Sequence, residues 1–151
     1  MKKAIVLMLF VVMLLSTMAF AGPMIGMQVE PSMNSVASLS IGWDFGAALV
    51  EASKTSFDRW NGNWSIAALW TPESNSFAYR LGPKFEWKWK TDGTLVYKST
   101  SIVIGVSKTW SAFQLFGQLD VGATGTLSVK PVLGFNVVFS GFFPNEETSE
   151  L

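Results

Sequence analysis

Residues 77–91 read FAYRLGPKFEWKWKT, and the side chains along this stretch alternate between two kinds with almost no exception. Successive side chains of a β-strand point to opposite faces, so the pattern predicts a long strand with one apolar, aromatic face and one largely charged face. The apolar face would carry Phe77, Tyr79, Leu81, Pro83, Phe85, Trp87 and Trp89. The other face would carry Ala78, Arg80, Gly82, Lys84, Glu86, Lys88 and Lys90.

The first 21 residues have the three parts of an export signal. Lys2 and Lys3 give a positively charged start, residues 4–15 are an apolar run, and Ala19-Phe20-Ala21 fits the small-x-small cleavage rule. The apolar run is shorter than the roughly 20 residues that a membrane-spanning helix needs. We therefore predict a signal peptide at 1–21, cleaved after Ala21, rather than an uncleaved membrane anchor.

The composition excludes several classes of function. The chain contains no His and no Cys, which removes His- and Cys-dependent nucleophilic catalysis, disulfides and ordinary zinc sites. Asp44, Glu86 and Asp120 could in principle act as paired acid and base, but salt bridges explain them better. The net charge is zero, and no basic field is present that could bind nucleic acid. We predict a protein that is not an enzyme, with no catalytic residues, no cofactor and no metal.

Turn-forming residues divide the chain after the signal peptide into short alternating segments, as in an all-β meander. Because every link is short, strands that are neighbours in sequence should pair antiparallel. The predicted strands lie at 24–30, 36–45, 48–55, 63–71, 77–91, 94–107, 111–122 and 127–139. The sequence therefore predicts an up-and-down antiparallel barrel domain at 22–143.

Three parts of the chain depart from simple alternation or can be divided in more than one way. Residues 36–55 could form one long strand instead of two, but bacterial single-chain barrels normally have an even strand number, which favours eight strands. The apolar parity changes within residues 94–107, which predicts a β-bulge near residues 99–101. Residues 144–151 are polar and acidic, which predicts a disordered tail.

Alternation alone leaves open which face of the strands meets water. A soluble, lipocalin-like barrel has its apolar residues inside, whereas a membrane barrel turns them towards lipid. The interior of an eight-stranded barrel is just wide enough to be filled by side chains. The many Trp and Phe of the apolar parity are too bulky for that interior, while the Ser, Gly and Ala of the opposite parity suit it. We therefore predict a membrane barrel, with a secreted soluble barrel that binds an apolar ligand as the main alternative and a sheet sandwich acting as an interaction module as a weaker one.

Aromatic residues are concentrated towards the ends of the predicted strands. Membrane barrels carry aromatic girdles at both lipid–water interfaces, and the alternative is an ordinary aromatic core. The residues predicted to form the girdles are Trp43, Trp64, Trp70, Phe77, Tyr79, Trp87 and Trp89.

Charged residues share the polar parity of their strands. A Lys or Arg that faces lipid at the bilayer midplane costs roughly 2–4 kcal/mol, so these charges should point into the lumen. A buried charge without a partner is costly, so we expect them to pair with one another. The predicted lumenal ion-pair network consists of Glu30, Asp44, Arg80, Lys84, Glu86, Asp120 and Lys130.

With these features the chain resembles the small bacterial outer-membrane barrels of the OmpA/OmpX type. Residues 134–139, GFNVVF, look like the terminal-strand insertion signal of that family, although the family usually ends at the aromatic residue and residues 140–151 follow here. The resemblance implies an outer-membrane location, with a periplasmic or secreted protein as the alternative. It implies membrane lipid and, through residues 134–139, the barrel-insertion machinery as partners. The implied role is structural in the envelope or a narrow pathway for small solutes.

Overall fold

The computed structural model describes residues 22–31, 35–55, 62–74, 77–124 and 127–139, most of which lie in antiparallel strands. Among these residues no helix is long and apolar enough to cross a membrane. The predicted signal peptide and acidic tail lie outside the described residues. The strands are β1 (Gly22–Glu30), β2 (Val36–Asp44), β3 (Ala48–Thr55), β4 (Gly62–Trp70), β5 (Glu73–Ser74), β6 (Phe77–Trp89), β7 (Leu95–Trp110), β8 (Phe113–Gly122) and β9 (Val129–Val138).

These strands form one closed barrel. Strands that follow one another in the chain pair antiparallel, except that β4 pairs with β6 and not with β5, and β1 pairs with β9. The two-residue β5 continues β4 past Thr71 and Pro72, because both pieces pair along the same strand β6. Counting β4 and β5 as one interrupted strand, the barrel wall has eight strands. Because the described sheet closes on itself, it leaves no exposed edge. The predicted eight-stranded up-and-down antiparallel barrel is confirmed.

The boundary between β2 and β3 is a tight turn at Gly46. The φ of Gly46 is 81°, in the left-handed region that glycine adopts at little cost. The carboxylate of Asp44 accepts a hydrogen bond from the Gly46 N–H at 2.8 Å, and the Phe45 N–H donates to the Ala48 carbonyl at 2.8 Å. Residues 36–55 thus form two strands, which excludes the seven-strand alternative.

A β-bulge lies in β7, where the apolar parity changes. Glu86 pairs with Ser99 and Trp87 pairs with Tyr97, so Lys98 is the extra residue. It directly precedes the segment in which the bulge was predicted. The extra residue shifts the alternation by one position, so the apolar residues on both sides of the bulge stay on the outside of the barrel.

The two faces of the wall differ sharply in chemistry. Ile41, Trp70 and Leu133 are 62%, 59% and 58% exposed on the outer face. Arg80 and Asn136 are completely buried in the lumen. Apolar side chains therefore cover the outside of the described strands, and polar side chains fill much of the inside.

The barrel has two ends that differ in their connections. One end carries the first residue of β1 and the last residue of β9, together with the last residues of β2, β5 and β7 and the first residues of β3, β6 and β8. The opposite end carries the last residues of β1, β3, β6 and β8 and the first residues of β2, β4, β7 and β9. We call them the terminal end and the loop end.

Candidate functional site

The middle of the lumen is filled by polar side chains that contact one another. Arg80 Nη2 lies 3.2 Å from Glu51 Oε2, and Arg80 Nε donates a hydrogen bond to Gln118 Oε1 at 3.0 Å. The other carboxylate oxygen of Glu51 accepts a hydrogen bond from the Gln28 side-chain amide. A single guanidinium group thus links residues of β1, β3 and β8 to β6.

The same chain of contacts continues to a second ion pair. Gln118 Nε2 donates to Asp120 Oδ1 at 2.9 Å, and Lys84 Nζ donates to Asp120 Oδ2 at 2.6 Å. The two ion pairs are therefore joined through one glutamine. We call this set of residues the lumen network: Gln28, Glu51, Arg80, Lys84, Gln118 and Asp120.

Burial makes the pairing within the lumen network important for stability. The side chains of Arg80 and Glu51 are 0% and 4% exposed, and those of Lys84 and Asp120 are 10% and 4% exposed. A buried charge is tolerated when it is paired and hydrogen-bonded. The Arg80 guanidinium also lies over the Phe116 ring, 4.0 Å from its centroid, which adds a cation–π contact.

A glycine on the strand between Arg80 and Gln118 leaves room for these two side chains to meet. Gly105 on β7 pairs with Arg80 on one side and with Gln118 on the other. A Cβ at Gly105 would lie 2.5 Å from the Gln118 Cβ and 2.6 Å from the carbonyl oxygen of Gly117. Any side chain at this position would therefore push Gln118 away from its place beside Arg80.

The terminal half of the lumen is closed by different side chains. Asn136 Nδ2 donates to Gln114 Oε1 at 2.9 Å, and Asn136 Oδ1 accepts a hydrogen bond from Ser40 at 3.4 Å. Apolar residues pack nearby in one buried cluster: Met24, Leu49, Ala67, Leu69, Val103 and Val138. The described interior is therefore filled from the lumen network towards the terminal end.

The loop half of the lumen is more open and strongly polar. A cavity of about 90 Å³ is lined by Glu30, Lys84, Glu86 and Lys130 together with several Ser residues. A smaller cavity of about 50 Å³ lies beside it and is lined by Asp120, Glu86 and Lys130 among others. We call this region the vestibule, and the Lys84–Asp120 ion pair lies at its base.

The structure brings some of the predicted lumenal charges together and gives others different partners. Lys84 and Asp120 pair with each other, whereas Arg80 pairs with Glu51, a residue outside the predicted network. Glu51 has the same parity as Ser53 within β3. This parity indicates that Glu51 faces the lumen only once the turn at Gly46 is fixed, because the face of each residue in β3 depends on where the strand begins.

The remaining predicted charges lie at the two ends of the lumen. Glu86 Oε2 lies 3.2 Å from Nζ of Lys98, the bulge residue, which was also not selected. Glu30 and Lys130 line the vestibule. Asp44 lies at the terminal end, where it accepts the hydrogen bond within the Gly46 turn.

The predicted girdle aromatics occupy outward positions at two levels. Those near the terminal end are Trp43, Trp70, Phe77 and Tyr79, and those near the loop end are Trp64, Trp87 and Trp89. Further exposed aromatic residues lie at these levels beyond the predicted set: Trp110, Phe113 and Phe139 at the terminal end and Tyr97 at the loop end. The Trp87 and Tyr97 rings meet edge to face, with centroids 6.5 Å apart.

The spacing of the two aromatic levels matches the thickness of a bilayer core. Phe77 and Trp87 are about ten residues apart on β6, which is roughly 33 Å along the strand. With the usual strand tilt of about 40°, the rise along the barrel axis is about 25 Å, close to the height of the apolar band in membrane barrels.

Each aromatic level also contains an outward-facing lysine. Lys54 Nζ lies 5.3 Å from the centroid of the Trp64 ring at the loop end. Lys108 Nζ lies 5.2 Å from the Phe77 ring centroid and 5.1 Å from that of Trp110 at the terminal end. Long cationic side chains beside aromatic rings are typical of a boundary between apolar and aqueous surroundings.

No group of three or more His, Cys, Asp or Glu side chains placed to hold a metal ion occurs in the part of the chain that the structure describes. The chemistry of the described lumen is that of ion pairs and amide hydrogen bonds.

Comparison with known proteins identifies the architecture. The crystal structure of the N-terminal β-barrel domain of Pseudomonas aeruginosa OprF resembles this chain with a TM-score of 0.56 and 14% sequence identity, covering 80% of this chain and 98% of that domain. No protein-family model matches the sequence, and no curated protein is similar to it in sequence. At this identity the similarity concerns the fold. The chain has the fold of the small eight-stranded β-barrels of the OmpA type.

Proposed function

We propose that this chain is a non-catalytic integral β-barrel protein of the bacterial outer membrane, with a lumen closed by its own side chains. One observation carries the proposal: the described wall has its carboxylates and its buried cations inside and most of its large apolar residues outside. Soluble monomers rarely expose a contiguous apolar patch of more than a few hundred Å². Here exposed apolar side chains lie on every long strand of the barrel.

Two further observations support the membrane location. Residues 1–21 have the pattern of a cleaved export signal. The described barrel shares its fold with the β-barrel domain of OprF. Membrane barrels have short periplasmic turns and longer outer loops, so we assign the terminal end to the periplasm and the loop end to the cell exterior.

The interior favours a structural role over transport. The lumen network crosses the middle of the barrel, and the apolar cluster lies between it and the terminal end. The vestibule keeps a narrow solute pathway as the second candidate, because it is polar and opens at the loop end. Single-channel recording in planar bilayers distinguishes the two candidates, because a closed lumen gives no steady conductance.

The soluble alternative fits the described residues less well. An apolar ligand needs an apolar pocket, whereas the two cavities of the vestibule are lined by charged and hydroxyl side chains. Residues 134–139 support the proposed partnership with the barrel-insertion machinery, since Phe135 and Phe139 are 45% and 44% exposed on the strand that closes the barrel.

Depth-dependent fluorescence quenching tests the proposal. The chain has seven Trp residues, and all but Trp60 lie on the described strands at the two aromatic levels. The mature chain is folded into bilayers whose lipids carry bromine either near the headgroup or near the end of the acyl chain. We expect strong quenching in both bilayers and more by the shallow bromines. Absence of quenching in both would contradict a membrane barrel.

A further inference from the structure

A shallow groove crosses the outer face of β6 to β9. It encloses about 430 Å³, and almost all of its lining is apolar. The side chains that border it include Tyr79, Ile104, Val106, Leu119, Pro131 and Leu133. It runs from Tyr79, at the terminal aromatic level, across Gly117 to Pro131, which lies two residues from the loop-end start of β9.

The floor of the groove is a glycine that the fold itself does not require. Gly117 has an outward position on β8 and pairs with Val106 on one side and with Leu133 on the other. Its φ is not in the left-handed region, and an added Cβ would meet only a Leu133 methyl group, at 3.3 Å. A larger residue could therefore fill the depression with a small shift of one side chain.

A cation lies at the terminal side of the groove. Lys108 has an outward position two residues beyond Val106, about 7 Å along β7, and its ammonium group lies between the Phe77 and Trp110 rings. The described residues place no carboxylate within ion-pair distance of Lys108. The ammonium group is thus available to an anion at the level of the aromatic belt.

We propose that this groove binds an anionic phospholipid, with an acyl chain lying over Gly117 and the headgroup phosphate paired with Lys108. The inference rests on the proposed membrane location, under which the terminal end lies at the inner, phospholipid leaflet. Cationic side chains at a membrane surface attract anionic lipid headgroups. Lys108 lies within the terminal aromatic level and the groove extends from it towards the middle of the wall, so an acyl chain over Gly117 would bring its headgroup to the ammonium group.

Charge favours a lipid over a second copy of this chain as the occupant. The outward positions of the described strands include Lys54 and Lys108 but no Asp or Glu. The transmembrane face of a neighbouring barrel would therefore bring no carboxylate to Lys108, whereas an anionic phospholipid brings a phosphate.

Native mass spectrometry of the folded mature chain tests the proposal. The detergent-solubilised barrel is titrated with phosphatidylglycerol or with phosphatidylcholine of the same acyl chains. We expect phosphatidylglycerol to bind about fivefold more tightly, as expected for one lysine at a membrane surface. Lys108→Gln should abolish this preference, and Gly117→Leu should weaken the binding of both lipids. Lys54→Gln, at the other aromatic level, is the matched control and should retain the preference.

Each other outcome has a defined meaning. Equal binding of the two lipids by the wild type, or a preference that survives Lys108→Gln, would overturn the proposal. A dimer that Gly117→Leu dissociates would identify a second copy as the occupant and would also overturn it. Brominated-lipid quenching of the same preparations distinguishes failure of the lipid site from failure of the proposed membrane location. A barrel whose Trp fluorescence is quenched but which shows no lipid preference contradicts only the lipid site. Unheated gel mobility confirms folding, and Gly117→Ala serves if the leucine variant does not fold.

Discussion

Arg80 and Glu51 form an ion pair inside the barrel, with Nη2 3.2 Å from Oε2, although they lie 29 residues apart on strands that do not pair with each other. β4 lies between β3 and β6, so the ion pair connects two strands that are not neighbours in the barrel wall. With Gln28 and Gln118 it braces four strands from within the lumen. The lumen network therefore stabilises the closed barrel in addition to the backbone ladders.

Loss of one member of this pair should destabilise the barrel strongly. Glu51→Gln leaves a buried guanidinium without its carboxylate, and we expect a loss of about 3–5 kcal/mol in the free energy of unfolding. Arg80→Met combined with Glu51→Gln should cost less than the sum of the two single changes, because no charge is then left unpaired. Urea unfolding of the barrel in lipid vesicles measures all three variants.

Lys98→Gln provides the matched control for that experiment. It breaks the Lys98–Glu86 pair, whose lysine side chain is 39% exposed, and pairs of this kind contribute about 1 kcal/mol or less. Equal effects of Lys98→Gln and Glu51→Gln would mean that the burial of the lumen network does not matter for stability.

A lysine on the outer wall should be costly only at the middle of the apolar band. Ile104 is 50% exposed and lies about midway between the aromatic levels, and Val129 is 55% exposed at the loop end. In a bilayer, Ile104→Lys should cost about 2–4 kcal/mol and Val129→Lys about 0–1 kcal/mol. The measurement is again unfolding in vesicles. If both changes are neutral, the outer wall faces water and the soluble alternative is correct.

Gly134 should tolerate substitution far less well than Gly117. A Cβ at Gly134 would lie 2.7 Å from the Met27 carbonyl oxygen and would overlap the Phe116 ring, whereas one at Gly117 meets a single methyl group. We expect Gly134→Ala to cost about 1–3 kcal/mol through overpacking and Gly117→Ala to be nearly neutral. The yield of heat-modifiable, folded barrel and its unfolding midpoint measure the difference. Equal tolerance at the two positions would contradict the packing described for β9.

The Asp92 carboxyl should have a lowered pKa that depends on Thr94. The Thr94 hydroxyl donates to Asp92 Oδ1 at 2.6 Å and the Thr94 N–H at 2.9 Å, and these hydrogen bonds lower the pKa of Asp92. Ionisation of Asp92 therefore stabilises the turn at pH values above the usual Asp pKa. This stabilisation is lost as the pH falls through the lowered pKa of Asp92. NMR titration of the Asp92 carboxyl should show the pKa rising in Thr94→Val. An unchanged value would exclude the hydroxyl as its cause.

The alternation of apolar and polar residues allows the barrel, with its apolar outer face and polar lumen, to be predicted from the sequence. From Phe77 to Trp89 every odd-numbered residue is apolar, and the structure confirms this strand. Lys98 shows where periodicity fails: one extra residue brings it beside Glu86, and counting alternate positions cannot anticipate such a pair. Glu51 was missed for a similar reason, because its face depends on whether the chain turns at Gly46. Ion pairs between strands that are not neighbours form only because the barrel closes. A local sequence pattern carries no information about that closure.

Membrane partition of the native protein tests the membrane-barrel proposal most directly. Cell envelopes are separated into inner and outer membranes and washed with alkaline carbonate, and the mature chain is followed by immunoblotting. We expect the chain to remain in the outer-membrane pellet, because its exposed apolar wall is then in contact with lipid. Release of the folded chain into the soluble fraction would contradict an integral membrane barrel.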